Sequence, residues 1–214
     1  DQTLTSLGID ISEIRGIFHT HCHDDHFAGL PTLVQGGHRI RYYATRPVRA
    51  TVSKKLSALM GFHEDRFAEF FEVRDLEPHQ WNSCSGFEVM PVPSPHPVET
   101  TLFLFRALAA DGYRSYAHWA DLTSFRVLDK MAANASPELQ SHIAQVKRDY
   151  LLPADLKKID IGGGLIHGDA VDYREDRSTR IVLSHYNRSL NDAEKEIRSA
   201  ASFGTLDELI ASQQ

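Results

Sequence analysis

Hydrophobic positions in this chain switch repeatedly between a period of two and a helical period, and the switches predict alternating strands and helices. Leu4, Leu7, Ile9 and Ile11, with Asp10 or Ser12 as caps, predict the end of a short helix within residues 1–13. Ile14-Arg15-Gly16-Ile17-Phe18 then reads as a buried strand, and Gly29-Leu30-Pro31 as a turn into a helix. Ile40-Arg41-Tyr42-Tyr43-Ala44 is a second strand. Val48, Val52, Leu56 and Leu59 recur at helical spacing behind a cap at Thr45 or Arg46, with Pro47 in the first turn. A short helix follows from His63, with Phe67, Phe70 and Phe71 as its apolar side and His63 as a surface residue or cap. Strands are expected over Phe87–Val92 and Thr101–Phe105, and over Tyr113–Trp119 after the turn signal Asp111-Gly112. Ser136-Pro137-Glu138 opens a helix whose apolar stripe is Leu139, Ile143, Val146 and Tyr150. The whole segment from Asp121 to residue 160 is expected to be mostly helical, one wall of a cleft. Arg180–Ser184 is a buried strand, residues 191–200 an amphipathic helix capped by Asn191 or Asp192, and Thr205–Ile210 closes the chain.

Length adds that the 214 residues suffice for one domain, residues 1–214, with a sizeable core. A net charge of −6 without a basic tract argues against a large nucleic-acid footprint. There is no run long enough for a membrane span and no signal-peptide pattern. Two cysteines, Cys22 and Cys84, make no disulfide framework, and a reducing cytoplasm is the expectation. No repeat, low-complexity tract or linker interrupts the chain.

Chemistry concentrates in His21-Cys22-His23-Asp24-Asp25-His26. In an extended chain His21 and His23 leave on the same side and can grip one ion. Asp25 and His26 are adjacent, so they diverge and suit a second ion. The cluster follows a strand, a common place for sites in α/β folds. Imidazole and carboxylate without thiolate suit zinc, iron or manganese. A surface histidine run or a tag is the alternative, but a tag is terminal and lacks the aspartates. Further on, Pro93-Ser94-Pro95-His96-Pro97 holds His96 stiffly at a strand end. Asp121 ends another strand and could cap Leu122–Phe125. His118 could line a pocket or be turned away by strand alternation. Gly162-Gly163-Gly164 allows backbone shapes other residues forbid. It is not a phosphate loop, since no Gly-Lys-Ser or Gly-Lys-Thr follows. Both a tight bend and a loop bringing His167 to the cleft remain open.

Thr20-His21-Cys22-His23-Asp24-Asp25-His26 matches, without a gap, the T-H-x-H-x-D-H signature of the metallo-β-lactamase superfamily, and the chain resembles that family. The resemblance implies an α/β fold, the αββα sandwich, here lacking the N-terminal strands that normally precede the motif. The chain is then expected to be a C-terminal portion of the catalytic domain, with an open sheet edge. It further implies two divalent ions, zinc first and iron or manganese also compatible. His21, His23 and His96 would take the first ion, Asp25, His26 and His185 the second, and Asp121 would bridge. Ala120 stands where the superfamily has glycine.

The implied activity is hydrolysis by a hydroxide bound to both metals, oriented by Asp25, on a small-molecule substrate. His167, Tyr186 and His118 are candidate substrate contacts. The His185-Tyr186-Asn187 ending and the His167 loop look similar to bacterial phosphodiesterase-like members, which favours a phosphodiester. Some of those members are fused to cyclic-nucleotide-binding modules. Ser202-Phe203-Gly204-Thr205 looks like the close of that catalytic domain, after which a regulatory module could have been lost. The rival readings are a di-iron oxygen- or ligand-binding sensor or redox protein on the same fold, and a glyoxalase-type thioesterase.

Overall fold

The computed structural model describes residues 6–198. The expectations for Leu4, for Ser202–Thr205 and for Thr205–Ile210 fall outside them, as does the end of the helix expected over residues 191–200. Backbone packing divides the chain into two units. Unit 1 comprises the described residues up to Pro78 with Val98–Thr101, and unit 2 comprises His79–Pro97 with the described residues from Leu102 onward.

Unit 1 is built on three strands, β1 (Gly16–Phe18), β2 (Ile40–Ala44) and β3 (Phe71–Asp75), ordered β1-β2-β3 and parallel throughout. Parallel neighbours need crossover connections. Here these contain helices α1 (Asp24–Phe27), α2 (Leu30–Gln35), α3 (Arg46–Met60) and α4 (Phe67–Phe70). Alternation on β2 sends Ile40, Tyr42 and Ala44 into a core with Val48, Val52 and Leu56 of α3 and Phe27, Leu30, Phe67 and Phe71. Thr45 is the N-cap of α3 and Pro47 lies in its first turn, as the pattern predicts. Leu59 differs from expectation. It is 63% exposed, because the buried stripe stops at Leu56, one turn before the helix ends at Gly61 with φ 73°. Phe71 also departs from its expected helix. It turns to φ −125°, ψ 139° and pairs with Ile40, so a ladder to β2 overrides the local helical spacing. Ahead of β1, Asp10 caps a 3-10 turn, Ile11–Glu13, through a capping box with Glu13. His63 is exposed, beside Asp65 at 3.0 Å.

Unit 2 is a six-stranded sheet ordered β4-β5-β6-β7-β8-β9. Its strands are β4 (Asn82–Cys84), β5 (Phe87–Ser94), β6 (Thr100–Ala109), β7 (Gly112–His118), β8 (Leu156–Asp160) and β9 (Arg180–Ser184). β6 and β7 form the expected hairpin. Ala109 faces Gly112 across it, so Ala110 and Asp111 make the turn and Gly112 supplies the positive φ, 127°. β7, β8 and β9 run parallel. Helices α5 (Phe125–Ala132) and α6 (Pro137–Tyr150) cover a core of Leu102, Leu104, Trp119, Leu128, Ile143, Val146, Tyr150 and Ile159. Leu139, expected on the α6 stripe, is 41% exposed in the first turn behind the Ser136 cap. The short helix α7 (Asp192–Ile197) starts at Asn191 with a capping box to Glu194.

The stretch from Asp121 to residue 160 is not all helical, since β8 occupies its end. The pattern Leu-Lys-Lys-Ile-Asp hid this strand, because two lysines suggest an exposed face. Lys157 is fully buried, paired with buried Asp176 and placed against the rings of Trp119 at 5.3 Å and Tyr173 at 5.7 Å. Among the described residues no helix is long and apolar enough to cross a membrane.

Candidate metal centre

In unit 1, β1 runs out at Phe18 and the chain passes through His19-Thr20-His21-Cys22-His23 into α1, with His23 at its N-cap position. His21 is fully buried, and its ring lies 4.8 Å from that of His23 and 4.1 Å from that of His26. The Thr20 hydroxyl sits 3.1 Å from His21 Nδ1 and 3.4 Å from His26 Nδ1, so one side chain touches two of the motif's imidazoles. Asp25 Oδ2 is 3.4 Å from His26 Nε2. Thus Asp25, His26, His21 and His23 are gathered on one short turn. Asp24, the variable position of the motif, is engaged elsewhere, as an acceptor from Lys55 of α3. Lys55 Nζ also donates to the Cys22 carbonyl at 2.7 Å and lies 4.6 Å from the Phe27 ring. It clamps the motif from outside, a role that nothing in its helical pattern announced. His19, next to the motif, packs against Tyr42 and Phe27. Burial, helped by the neighbouring His21, pulls its imidazole down to about 4.

In unit 2 the sequence candidates converge on Asp121, which is 2% exposed in the segment after β7. Its Oδ2 lies 3.7 Å from His96 Nε2 and 3.8 Å from His167 Nδ1, and its Oδ1 3.8 Å from His185 Nδ1. The proline loop is held by Thr123, whose hydroxyl donates to the Pro95 carbonyl at 2.7 Å. Asp121 is not the cap of α5. That position belongs to Ser124, while Asp172 accepts from Phe125 N at 2.8 Å from far along the chain. His185 leaves β9 with φ 62°, a left-handed conformation uncommon for a residue with a Cβ. Gly163 and Gly164 take φ 73° and 77°, making a tight bend, and past it the His167 ring lies 4.5 Å from the His185 ring.

A residue that sequence reasoning missed lies at the middle of this cluster. Asp160, at the end of β8 and 1% exposed, sits 3.0 Å from His167 Nδ1 and 3.2 Å from His185 Nδ1. Asp121, Asp160, His167 and His185 each offer a ligand atom, all within 4.8 Å of one another. Nitrogen and carboxylate oxygen are the donors that zinc, iron and manganese accept, so this cluster could hold a divalent ion. Lys158, next to Asp160, has its ammonium pulled down by burial, opposed by the charges of Asp160 and Asp121.

His118 is directed to a different neighbour. Tyr116, whose phenol is pushed up to about 12 by burial, lies within hydrogen-bonding distance of His118 Nδ1, at 2.9 Å. Tyr186 is exposed just past His185.

Residues 2–146, more than half of the chain, match the family model for the beta-lactamase superfamily domain. The match takes in the His21–His26 motif, His96 and Asp121, whereas Asp160, His167 and His185 lie beyond it. No curated protein matches the chain in sequence. Among solved structures, the metallo-beta-lactamase fold protein YhfI from Bacillus subtilis is similar at TM-score 0.60 and 15% identity, over 91% of this chain and 75% of that one. The short form of human tRNase Z is similar at TM-score 0.57 and 16% identity, over 97% of this chain and 84% of that one. Unliganded yeast PDE1 is similar at TM-score 0.52 and 13% identity, over 86% and 60%. With an unbroken T-H-x-H-x-D-H motif, the matching α/β fold and a family model spanning most of its length, the chain belongs to the metallo-β-lactamase superfamily.

Proposed function

We propose that the protein is a metal-dependent hydrolase with a binuclear centre, acting on a phosphodiester, and that this chain belongs to its catalytic domain. In this reading His21, His23 and His96 would hold one ion, Asp25, His26 and His185 would hold the other, and Asp121 would contribute to both. One observation carries the proposal. The family's seven donor positions are all filled by histidine or aspartate, and those within each unit already cluster. Around Asp121 the spacing is telling. Its Oδ2 stands 3.7 Å from His96 Nε2, too long for a hydrogen bond. That separation would suit two donors to one ion.

Two divalent ions, when bound, supply a water that ionises near neutral pH and a clamp for developing negative charge. The chain's own groups do the remaining work. Asp25, on the first turn of α1, orients the attacking water. His167, partly exposed on the glycine bend, and Tyr186 are placed to donate to a phosphoryl or leaving-group oxygen. His118, already engaged by Tyr116, is a weaker candidate for that task. The phosphodiester preference rests on the likeness of the His185-Tyr186-Asn187 ending and the His167 loop to phosphodiesterase-like members. Two free cysteines fit a cytoplasmic enzyme of small molecules.

Elemental analysis with an absorption spectrum of the same sample tests the reading, followed by turnover of phosphodiester and thioester substrates. About two zinc or manganese ions per chain, a colourless sample and phosphodiester cleavage support it. About two iron ions with a spectrum that responds to reduction or oxygen would replace it by the sensor or redox reading. Thioester cleavage alone would favour a glyoxalase-type enzyme.

A further inference from the structure

Asp160 is surrounded by hydrogen-bond donors. Oδ1 accepts from Gly162 N at 2.8 Å and faces His185 Nδ1 at 3.2 Å. Oδ2 accepts from Leu122 N at 3.4 Å and Gly168 N at 3.3 Å, and faces His167 Nδ1 at 3.0 Å. A carboxylate offers roughly four lone-pair sites, and these five donors use them all. The backbone is shaped to allow this. A Cβ on Gly168 would fall 2.5 Å from the Asp160 carbonyl oxygen and 2.4 Å from Leu122 Cδ1, and one on Gly162 would fall 2.8 Å from His167 Cγ. The two glycines let the chain wrap the carboxylate closely enough for its amides to reach.

We infer that Asp160 is a positioning residue, not a ligand: it takes the Nδ1–H of His185 and of His167 at once and so leaves both Nε2 atoms as lone-pair donors. The inference extends the proposed hydrolase by one step, resting on His185 as a ligand, and it adds His167 as a second imidazole set by the same carboxylate. A buried anion is needed for this. Neutral imidazole carries one proton, and the nitrogen that keeps it is chosen by the partner of the other. Asp160 is the partner shared by both rings, so one residue chooses for two.

The Asp160→Asn variant tests this without turnover. An amide presents one acceptor oxygen and one NH2 group, so at least one imidazole then faces a donor and must move its proton to Nε2. Long-range proton–nitrogen spectra of the metal-free protein, at a pH where imidazoles are neutral, read the tautomers directly. In the native chain both rings should be protonated at Nδ1, and in the variant at least one should reverse. Zinc affinity, by competition with a chromophoric chelator, should fall about ten- to hundredfold. Native His185 or His167 carrying its proton at Nε2 would overturn the inference, and so would a folded variant with native tautomers or native zinc affinity. If the variant does not fold, the native tautomers alone decide. Should the native protein bind no zinc, iron or manganese, the hydrolase reading fails, whereas the tautomers still judge Asp160 by itself.

Discussion

Asp121 and Asp160 are 2% and 1% exposed and share two histidine neighbours, yet their surroundings assign them different tasks. Asp160 is held by amides at hydrogen-bonding distance, whereas the imidazoles stand off from Asp121 at 3.7–3.8 Å. This contrast makes single substitutions informative. His96→Ala should lower the metal content by about one ion and leave the other, while Asp121→Asn should weaken both. Native stoichiometry in the first variant would remove His96 from the ligand set, and a loss confined to one ion in the second would remove Asp121 from its bridging place. The cysteines differ as sharply. Cys84 is 2% exposed, and burial pushes its thiol up to about 11. An unfolded thiol ionises near ~8.5. The folded chain therefore holds the proton more tightly between those values, so this residue's contribution is intact below the unfolded pKa and declines as pH rises toward the folded one. Alkylation at neutral pH should modify the half-buried Cys22 and spare Cys84. Equal labelling of both in folded protein would contradict this.

At the scale of the element, β8 shows how packing can overrule polar character. Lys157 enters the sheet between Leu156 and Lys158, and its charge is matched by Asp176 against two aromatic rings. Breaking one partner of such a pair strands the other charge in the core. Asp176→Asn should therefore cost about 3–5 kcal/mol in urea unfolding, and Lys157→Met a comparable amount. The double substitution to apolar residues should cost much less than the sum of the two. Additive losses would mean that the buried pair is not coupled. The same element delivers Asp160 to the cluster, so a change in β8 stability should reach the site. α5 makes a related point. Its first amide is capped by Asp172, whose carboxyl is raised by burial, so a helix start depends on a residue 47 positions away.

On the scale of the whole molecule, the proposed ligands come from segments far apart in the sequence. Removing metal should then loosen more than a loop. A bound ion present at a hundredfold excess over its dissociation constant adds about 2.7 kcal/mol to the folded state. Chelation should lower the melting temperature by several degrees on that account, and zinc should restore it. A melting curve indifferent to chelator, in protein that carried metal, would show that the ions hold nothing together.

Much of this protein could be read from its residues in a row. β2 and β9 follow from local apolar patterning, the start of α3 from Thr45 and Pro47, and the motif from its own spacing, because in each case the decisive neighbours are close in sequence. Tertiary structure alone decided the rest. β3 and β4 exist through pairing with β2 and β5, and β8 through its neighbours on both sides. Lys55 reaches the motif from 33 residues away, and Asp160 becomes the hub of two histidines only when the glycine bend and β9 bring them to it. Ladders, buried charges and shared carboxylates owe their energy to partners distant in the chain, and local periodicity carries no record of those partners.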